Sequence, residues 1–257
     1  MKKHVFICIA LCISMSIFSQ NIDVKNLQCE MLTNPLGIDV LQPRLSWQFD
    51  TNFTEVAQTA YHILVASSLE KLNNNKGDLW DSGKVESNQS VNIVYSGKTL
   101  DSRDEAFWKV KVWTNKGEKQ WSDSALWSMG ILTYSEWKST RWIGNNHLFK
   151  DDSIGQFSNL SARYFRKQID LKKKVKNAKV YIMGMGLYEL YMNGNKIGNQ
   201  VLAPVPTDYT KNVKYNVFDV TSNLKEGENV IGTILGNGRF FAMRQEYKPY
   251  KIKTFGF

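Results

Sequence analysis

Apolar residues recur at every second position along much of this chain. From Ala106 to Trp113 the apolar Trp108, Val110 and Val112 alternate with Lys109 and Lys111, the period-two signature of a half-buried strand. Tyr61 to Ala66 and Val91 to Tyr95 read as strands too, and Gly77-Asp78, Ser82-Gly83, Ser96-Gly97 and Lys116-Gly117 punctuate them as turns. Several short strands at that spacing predict a β-sandwich. Trp47, on the early strand Leu45 to Phe49, is expected to fill the space between its sheets. His62 interrupts an apolar run and is expected to face away from its neighbours in a structural role.

The second half is again β in pattern. Tyr164 to Leu171, Ala178 to Met183 and Tyr188 to Met192 predict strands, and Asn193-Gly194 supplies the two positive-φ residues of a tight type I′ hairpin with Lys196 to Val201 as its returning arm. Asn216 to Thr221 then leads through the turn Glu226-Gly227-Glu228-Asn229 into the apolar strand Val230 to Leu235. The polar run Asn145 to Asn159, with Asp151 and Asp152 adjacent, is expected to be an exposed loop between the halves. The expected fold class is therefore all-β, in two domains.

The N-terminus sets an expectation for the compartment. Lys2 and Lys3 precede an apolar run from Val5 to Phe18, and the small Ser19 suits the position before a cleavage site, so residues 1–19 read as a signal peptide and the protein as exported. The run is shorter than the roughly 20 residues of a membrane span, so none is expected. Removing it takes Cys8 and Cys12 away and leaves Cys29, which excludes an internal disulfide and reads as a small buried hydrophobe. The net charge of +9 falls by two with Lys2 and Lys3. Its lysines are scattered and accompany no nucleic-acid motif, so no nucleic-acid partner is expected, whereas acidic polysaccharides or a cell surface fit the sign.

Candidate chemistry is sparse. Inverting glycoside hydrolysis needs an acid and a base about 6.5–9.5 Å apart, and the adjacent pairs Asp104-Glu105 and Asp151-Asp152 do not make that geometry by sequence proximity. Glu189 reads as an outward-facing strand residue without a second carboxylate. No catalytic residue is assigned. The isolated His62 and His147 do not make a zinc site, and no spacing of oxygen ligands around Asp151-Asp152 supports calcium, so no metal ligand is assigned either.

Two distant stretches carry a family resemblance. Asn34-Pro35-Leu36-Gly37-Ile38-Asp39 with Pro43-Arg44-Leu45-Ser46-Trp47, and Tyr188-Glu189-Leu190-Tyr191-Met192-Asn193-Gly194-Asn195-Lys196-Ile197-Gly198 leading into Asp219-Val220-Thr221, together resemble the opening of a bacterial α-L-rhamnosidase of glycoside hydrolase family 78. Trp121 to Gly130, Ser135 to Gly144 and Ala162 to Lys167 extend it. The resemblance implies a fibronectin type III-like sandwich over 21–133, a linker over 134–160 and a rhamnosidase N-terminal sandwich of the galactose-binding jelly-roll kind over 161–257, incomplete at its C-terminus. In that family the catalytic carboxylates sit in a helical barrel further along, so this chain reads as a non-catalytic front end, a fragment that is inactive alone.

Intact relatives are inverting hydrolases that release terminal L-rhamnose from plant polysaccharides and glycosides, and some carry a calcium-dependent rhamnose-binding sandwich. A rhamnose-containing carbohydrate is the implied partner. If the second domain binds sugar, Tyr188, Asn193, Asp208 and Tyr209 are the candidate contacts, an aromatic face with polar groups for hydroxyls, although Asn193 equally suits a turn and Tyr209 a packed loop. Leu235-Gly236-Asn237-Gly238 departs from the family by continuing into Arg239-Phe240 where Trp-Tyr is usual. The competing readings are a stand-alone carbohydrate-binding module and a structural spacer.

Overall fold

The computed structural model describes residues 22–51, 54–118, 121–153, 160–209, 211–238 and 240. The expected signal peptide with Cys8 and Cys12, the departure at Arg239 and the C-terminal end of the second domain lie outside the described residues. The chain divides into two compact units, one within Met1–Asn34, Gln42–Lys98 and Ala106–Leu126, the other within Pro35–Leu41, Thr99–Glu105 and Trp127–Phe257. Both are built of antiparallel strands, and the fold class is all-β.

In the first unit β1 (Ile22–Cys29), β2 (Arg44–Thr51) and β6 (Ile93–Val94) form one sheet, in the order β1-β2-β6. The second sheet runs β4 (Trp80–Asp81), β3 (Gln58–Ala66), β7 (Glu105–Thr114), β8 (Gly117–Glu118), with β5 (Val85–Glu86) on β3 and β9 (Ala125–Ser128) on β7. The alternation read from sequence sets the register of its central pair. Tyr61 lies opposite Val112, Ile63 opposite Val110 and Val65 opposite Trp108, all buried on one face. Trp47 enters the core as expected, its ring edge-on to Tyr61 at 5.4 Å and its Nε1 donating to Gln58 Oε1 at 3.0 Å.

The other face of β3 is also covered. Leu64 and Ala66 pack with Leu72 of the five-residue helix α1 (Leu69–Asn73), flanked by Phe107 and Trp121. A helix that short does not hold itself together in water, so burial of Leu72 and the Ser68 cap on the Lys71 amide keep it in place. Lys109 shares this covered face, donating to Asn75 Oδ1 at 2.7 Å and lying over the Trp121 ring, with its pKa pushed down by burial. His62 faces the same way, within 2.6 Å of Asp81 and against Trp121.

Cys29 is buried in β1, and burial pushes its thiol up to about 12. Roughly one part in ten thousand is then ionised at pH 8, and the thiolate is the reactive species. Native Cys29 should stay unmodified by iodoacetamide at pH 8 and alkylate in urea, as read by peptide mass spectrometry. Fast alkylation without denaturant would show that the strand opens.

The second unit stacks a four-stranded sheet on a two-stranded one. The larger runs β10 (Arg163–Leu171), β15 (Gly227–Gly236), β12 (Leu187–Met192), β13 (Asn195–Ile197), and the smaller pairs β11 (Lys179–Met183) with β14 (Tyr215–Asp219). Tyr188, Leu190, Met192, Leu235, Ile197, Phe218 and Val220 form the core, against which Val180, Ile182 and Ile231 pack.

Candidate functional site

The alternation of β12 divides its residues between two environments. Tyr188, Leu190 and Met192 enter the core, whereas Leu187, Glu189 and Tyr191 stay partly exposed on the outer face. Of the four sugar-contact candidates, Tyr188 is therefore sunk at 6% exposure, its amide donating to the Ala203 carbonyl at 2.8 Å, its hydroxyl without a partner among the described residues and its pKa raised well above the usual phenol range by burial.

Asn193 sits with φ 51° and Gly194 with φ 85°, the conformation expected of the hairpin turn. Its side chain is committed to the fold. The Oδ1 accepts from the Val230 amide at 2.9 Å, and the Nδ2 donates to the Asn223 carbonyl and to Asn229 Oδ1, both at 2.9 Å. Asn229, fully buried, in turn donates to the carbonyls of Lys225 and Gly227. Two amides thus satisfy the backbone where the β12–β13 turn meets the turn leading into β15. Asp208 is exposed, 3.4 Å from Lys211 Nζ, and Tyr209 is edge-on to Phe240 at 5.3 Å. Tyr188 and Asn193 are built into the fold, and Asp208 and Tyr209 lie on the stretch after β13.

Charged groups cluster elsewhere. On the outer face the Tyr191 hydroxyl donates to Glu189 Oε2 at 2.7 Å, and Lys196, across the hairpin, pairs with Glu189 Oε1. Lys196 holds the Glu189 carboxyl below its ordinary value, and the carboxylate holds the Tyr191 phenol above its own. Residues 145–153 correct the expectation of an exposed loop at one point, because the Asp152 side chain is fully buried against Arg163, itself 2% exposed, at 2.8 Å. A charged pair eleven residues apart gives no periodic signal in sequence.

The electrostatics bear on catalysis. A general acid must be a carboxyl whose pKa is raised so that it holds its proton at neutral pH. Here the shifts of Asp152, Glu136 and Glu189 all run downwards, Asp152 through amide hydrogen bonds and Arg163, Glu136 through the Ser102 hydroxyl, Glu189 through Lys196. Among the described residues no three His, Cys, Asp or Glu side chains gather to hold a metal, and Asp152 is already neutralised by Arg163, so the donors at Asp151-Asp152 do not fit calcium.

Known proteins match both units. A family model described as "Rha78A-like, N-terminal immunoglobulin domain" matches residues 24–133, and one described as "Alpha-L-rhamnosidase N-terminal domain" matches residues 173–256. The first is an immunoglobulin-type sandwich where the sequence suggested a fibronectin type III-like one, and both descriptions are of two packed antiparallel sheets. An α-L-rhamnosidase of Formosa agariphila is 38% identical over 242 residues, covering 89% of this chain and 25% of the relative. One from Alteromonas sp. (strain LOR) is 35% identical over 212 residues, covering 81% of this chain and 23% of the relative. Among solved structures, an α-L-rhamnosidase of Dictyoglumus thermophilum superposes with a TM-score of 0.75 at 43% identity, covering 84% of this chain and 25% of that one, and one of Aspergillus terreus with 0.73 at 29% identity, covering 86% and 24%. The chain spans about a quarter of the length of the relatives it matches.

Proposed function

Because both of its units belong to the N-terminal part of the α-L-rhamnosidase family, we propose that this chain is the accessory front portion of an exported enzyme that hydrolyses terminal α-L-rhamnose from polysaccharides or glycosides. The observation that carries the reading is the match of two different domain models, in order, to two successive sandwiches. The chemistry belongs to a catalytic domain of the kind the longer relatives supply. The present residues support that division of labour, since the carboxyls of Asp152, Glu136 and Glu189 are all held in the ionised form. Export is supported by the charged, then apolar, then small-residue pattern of residues 1–19.

In the accessory role, contact with rhamnose falls to Asp208, which is exposed, and the neighbouring half-buried Tyr209.

Assay on an aryl α-L-rhamnoside tests the proposal. Enzymes accelerate such reactions by about a millionfold or more, so weak catalysis is readily seen. The chain alone is expected to turn over the substrate at the buffer rate, and a polypeptide carrying the same N-terminus fused to the remainder of a family member is expected to release L-rhamnose. Release by residues 22–240 alone would overturn the accessory assignment. Calorimetry with L-rhamnose, with and without calcium, separates a sugar-binding module from a spacer. Binding heat that Asp208→Ala leaves unchanged would reject the sugar contact assigned to Asp208.

A further inference from the structure

The outer face of the four-stranded sheet carries a glycine that the fold does not require. Gly232 lies in the middle of β15, between Arg166 of β10 and Tyr191 of β12. Its φ is not in the left-handed region, and a Cβ built on it would meet only the Tyr191 Cβ at 3.7 Å and the Phe165 carbonyl at 3.9 Å, ordinary van der Waals contacts. Glycine weakens a strand interior and offers nothing to pack, and where backbone geometry does not demand it, it often marks the close approach of a ligand.

The surroundings say what would approach. Neighbouring strands lie about 4.8 Å apart, so Arg166 and Tyr191 stand roughly 10 Å apart across the missing side chain, the width of one pyranose ring with its contacts. Tyr164, two residues before Arg166 on the same face, leaves 77% of its surface open to water. An aromatic face packs against the C–H groups of a sugar ring. Arg166 is exposed, and its guanidinium makes no hydrogen bond or ion pair among the described residues, whereas the carboxylates of the same face are held elsewhere, Glu189 by Lys196 and Tyr191, Glu228 by Gln168 and Asp170 by Lys172. The trough therefore presents an uncommitted guanidinium, a side chain suited to two-point binding of a carboxylate. The net charge of +9 on the chain has the sign that attracts a polyanion.

We propose that this face binds a uronate-bearing pyranoside chain, with one sugar ring in the trough over Gly232, its carboxylate on Arg166 and flanking rings against Tyr164 and Tyr191. This surface is distinct from the stretch holding Asp208 and Tyr209, and its test does not depend on rhamnose binding or hydrolysis.

Titration of the chain with hexagalacturonate at low salt, followed by calorimetry, tests it. Saturable binding is expected, weakened about tenfold or more by Arg166→Gln, the size of one charge-assisted hydrogen bond. Gly232→Val fills the trough with a strong strand former and should abolish binding while leaving the far-UV spectrum and melting temperature unchanged or improved. Tyr164→Ala, at an exposed side chain, should weaken binding without unfolding. The fully methyl-esterified hexamer should bind at least tenfold more weakly. No saturable heat at millimolar hexamer would overturn the proposal, as would wild-type affinity in Gly232→Val and Tyr164→Ala, or equal affinity for the esterified hexamer. If Gly232→Val lost the native spectrum, the two exposed-residue variants would decide the matter alone.

Discussion

Replacing Arg163 with Met should lower the stability of the second unit by about 3–5 kcal/mol, the cost of breaking a buried ion pair from one side. Almost every donor of this guanidinium is spent. It donates to Asp152 Oδ2 at 2.8 Å, to the Ser161 carbonyl at 2.6 Å, to the His147 carbonyl at 2.9 Å and to the Asn145 carbonyl at 3.4 Å, and it lies over the Phe149 ring. Removing it leaves three carbonyls without their donor and a buried carboxylate without its cation. Arg163→Lys should recover little, because a single ammonium on a flexible stem cannot span that fan of acceptors. The double variant Asp152→Leu with Arg163→Met should be more stable than the single one, since both charges leave together.

The same pair predicts a pH dependence with a definite sign. The Asp152 carboxyl is held well below the ordinary value of 3.8, so its contribution is fully present above that pH and is lost progressively as the pH falls below it towards the depressed folded value. Arg163→Met reverses the sign. The carboxylate is then buried without a cation, its pKa rises, and acid relieves the strain by supplying a proton. Melting curves of the wild type and the variant should therefore lie furthest apart near pH 7 and converge as the pH approaches 4. A gap that stays constant between those values would show that the pair is not the source of the stability difference.

Most of the fold was legible because it depends on neighbours two residues apart. Trp108, Val110 and Val112 are each completely buried, as their alternation with lysines requires, and Asn193-Gly194 turns the chain as its residue types dictate. Legibility failed where partners are distant in sequence. Val91 to Tyr95 contains only two strand residues, Ile93–Val94, and just before them Asn92, at φ 58°, gives its amide to the Ser46 Oγ instead of to a neighbouring backbone. Asn193 read as a turn residue with a spare amide, yet that amide reaches Asn229, thirty-six positions away. Glu189 read correctly as outward-facing, but the Gly232 trough beside it could be seen only once β10, β15 and β12 were in register. Sequence pattern fixes which face a side chain takes, whereas the topology decides what it meets there.

Trp47→Ala should destabilise the first unit by about 3–5 kcal/mol, as large truncations in cores do. The indole is 1% exposed, and its loss leaves a cavity next to Tyr61. A second cost comes from Gln58, 5% exposed, whose Oε1 accepts the indole N–H while its Nε2 donates to the carbonyls of Ser87 and Gln89 at 3.1 and 2.7 Å. That chain links β2, β3 and the segment after β5 through one amide. Trp47→Phe keeps most of the apolar volume but orphans Gln58 Oε1, which costs about 1–3 kcal/mol for a buried acceptor. Gln58→Leu orphans the indole N–H and both carbonyls, so it should cost more than Trp47→Phe despite the smaller change in size. Because the two substitutions share one hydrogen bond, the double variant should be less destabilised than their sum by about 0.5–3 kcal/mol. Urea unfolding of the four proteins measures the cycle. Strict additivity would mean that the indole contributes through packing alone and that the buried amide is satisfied without it.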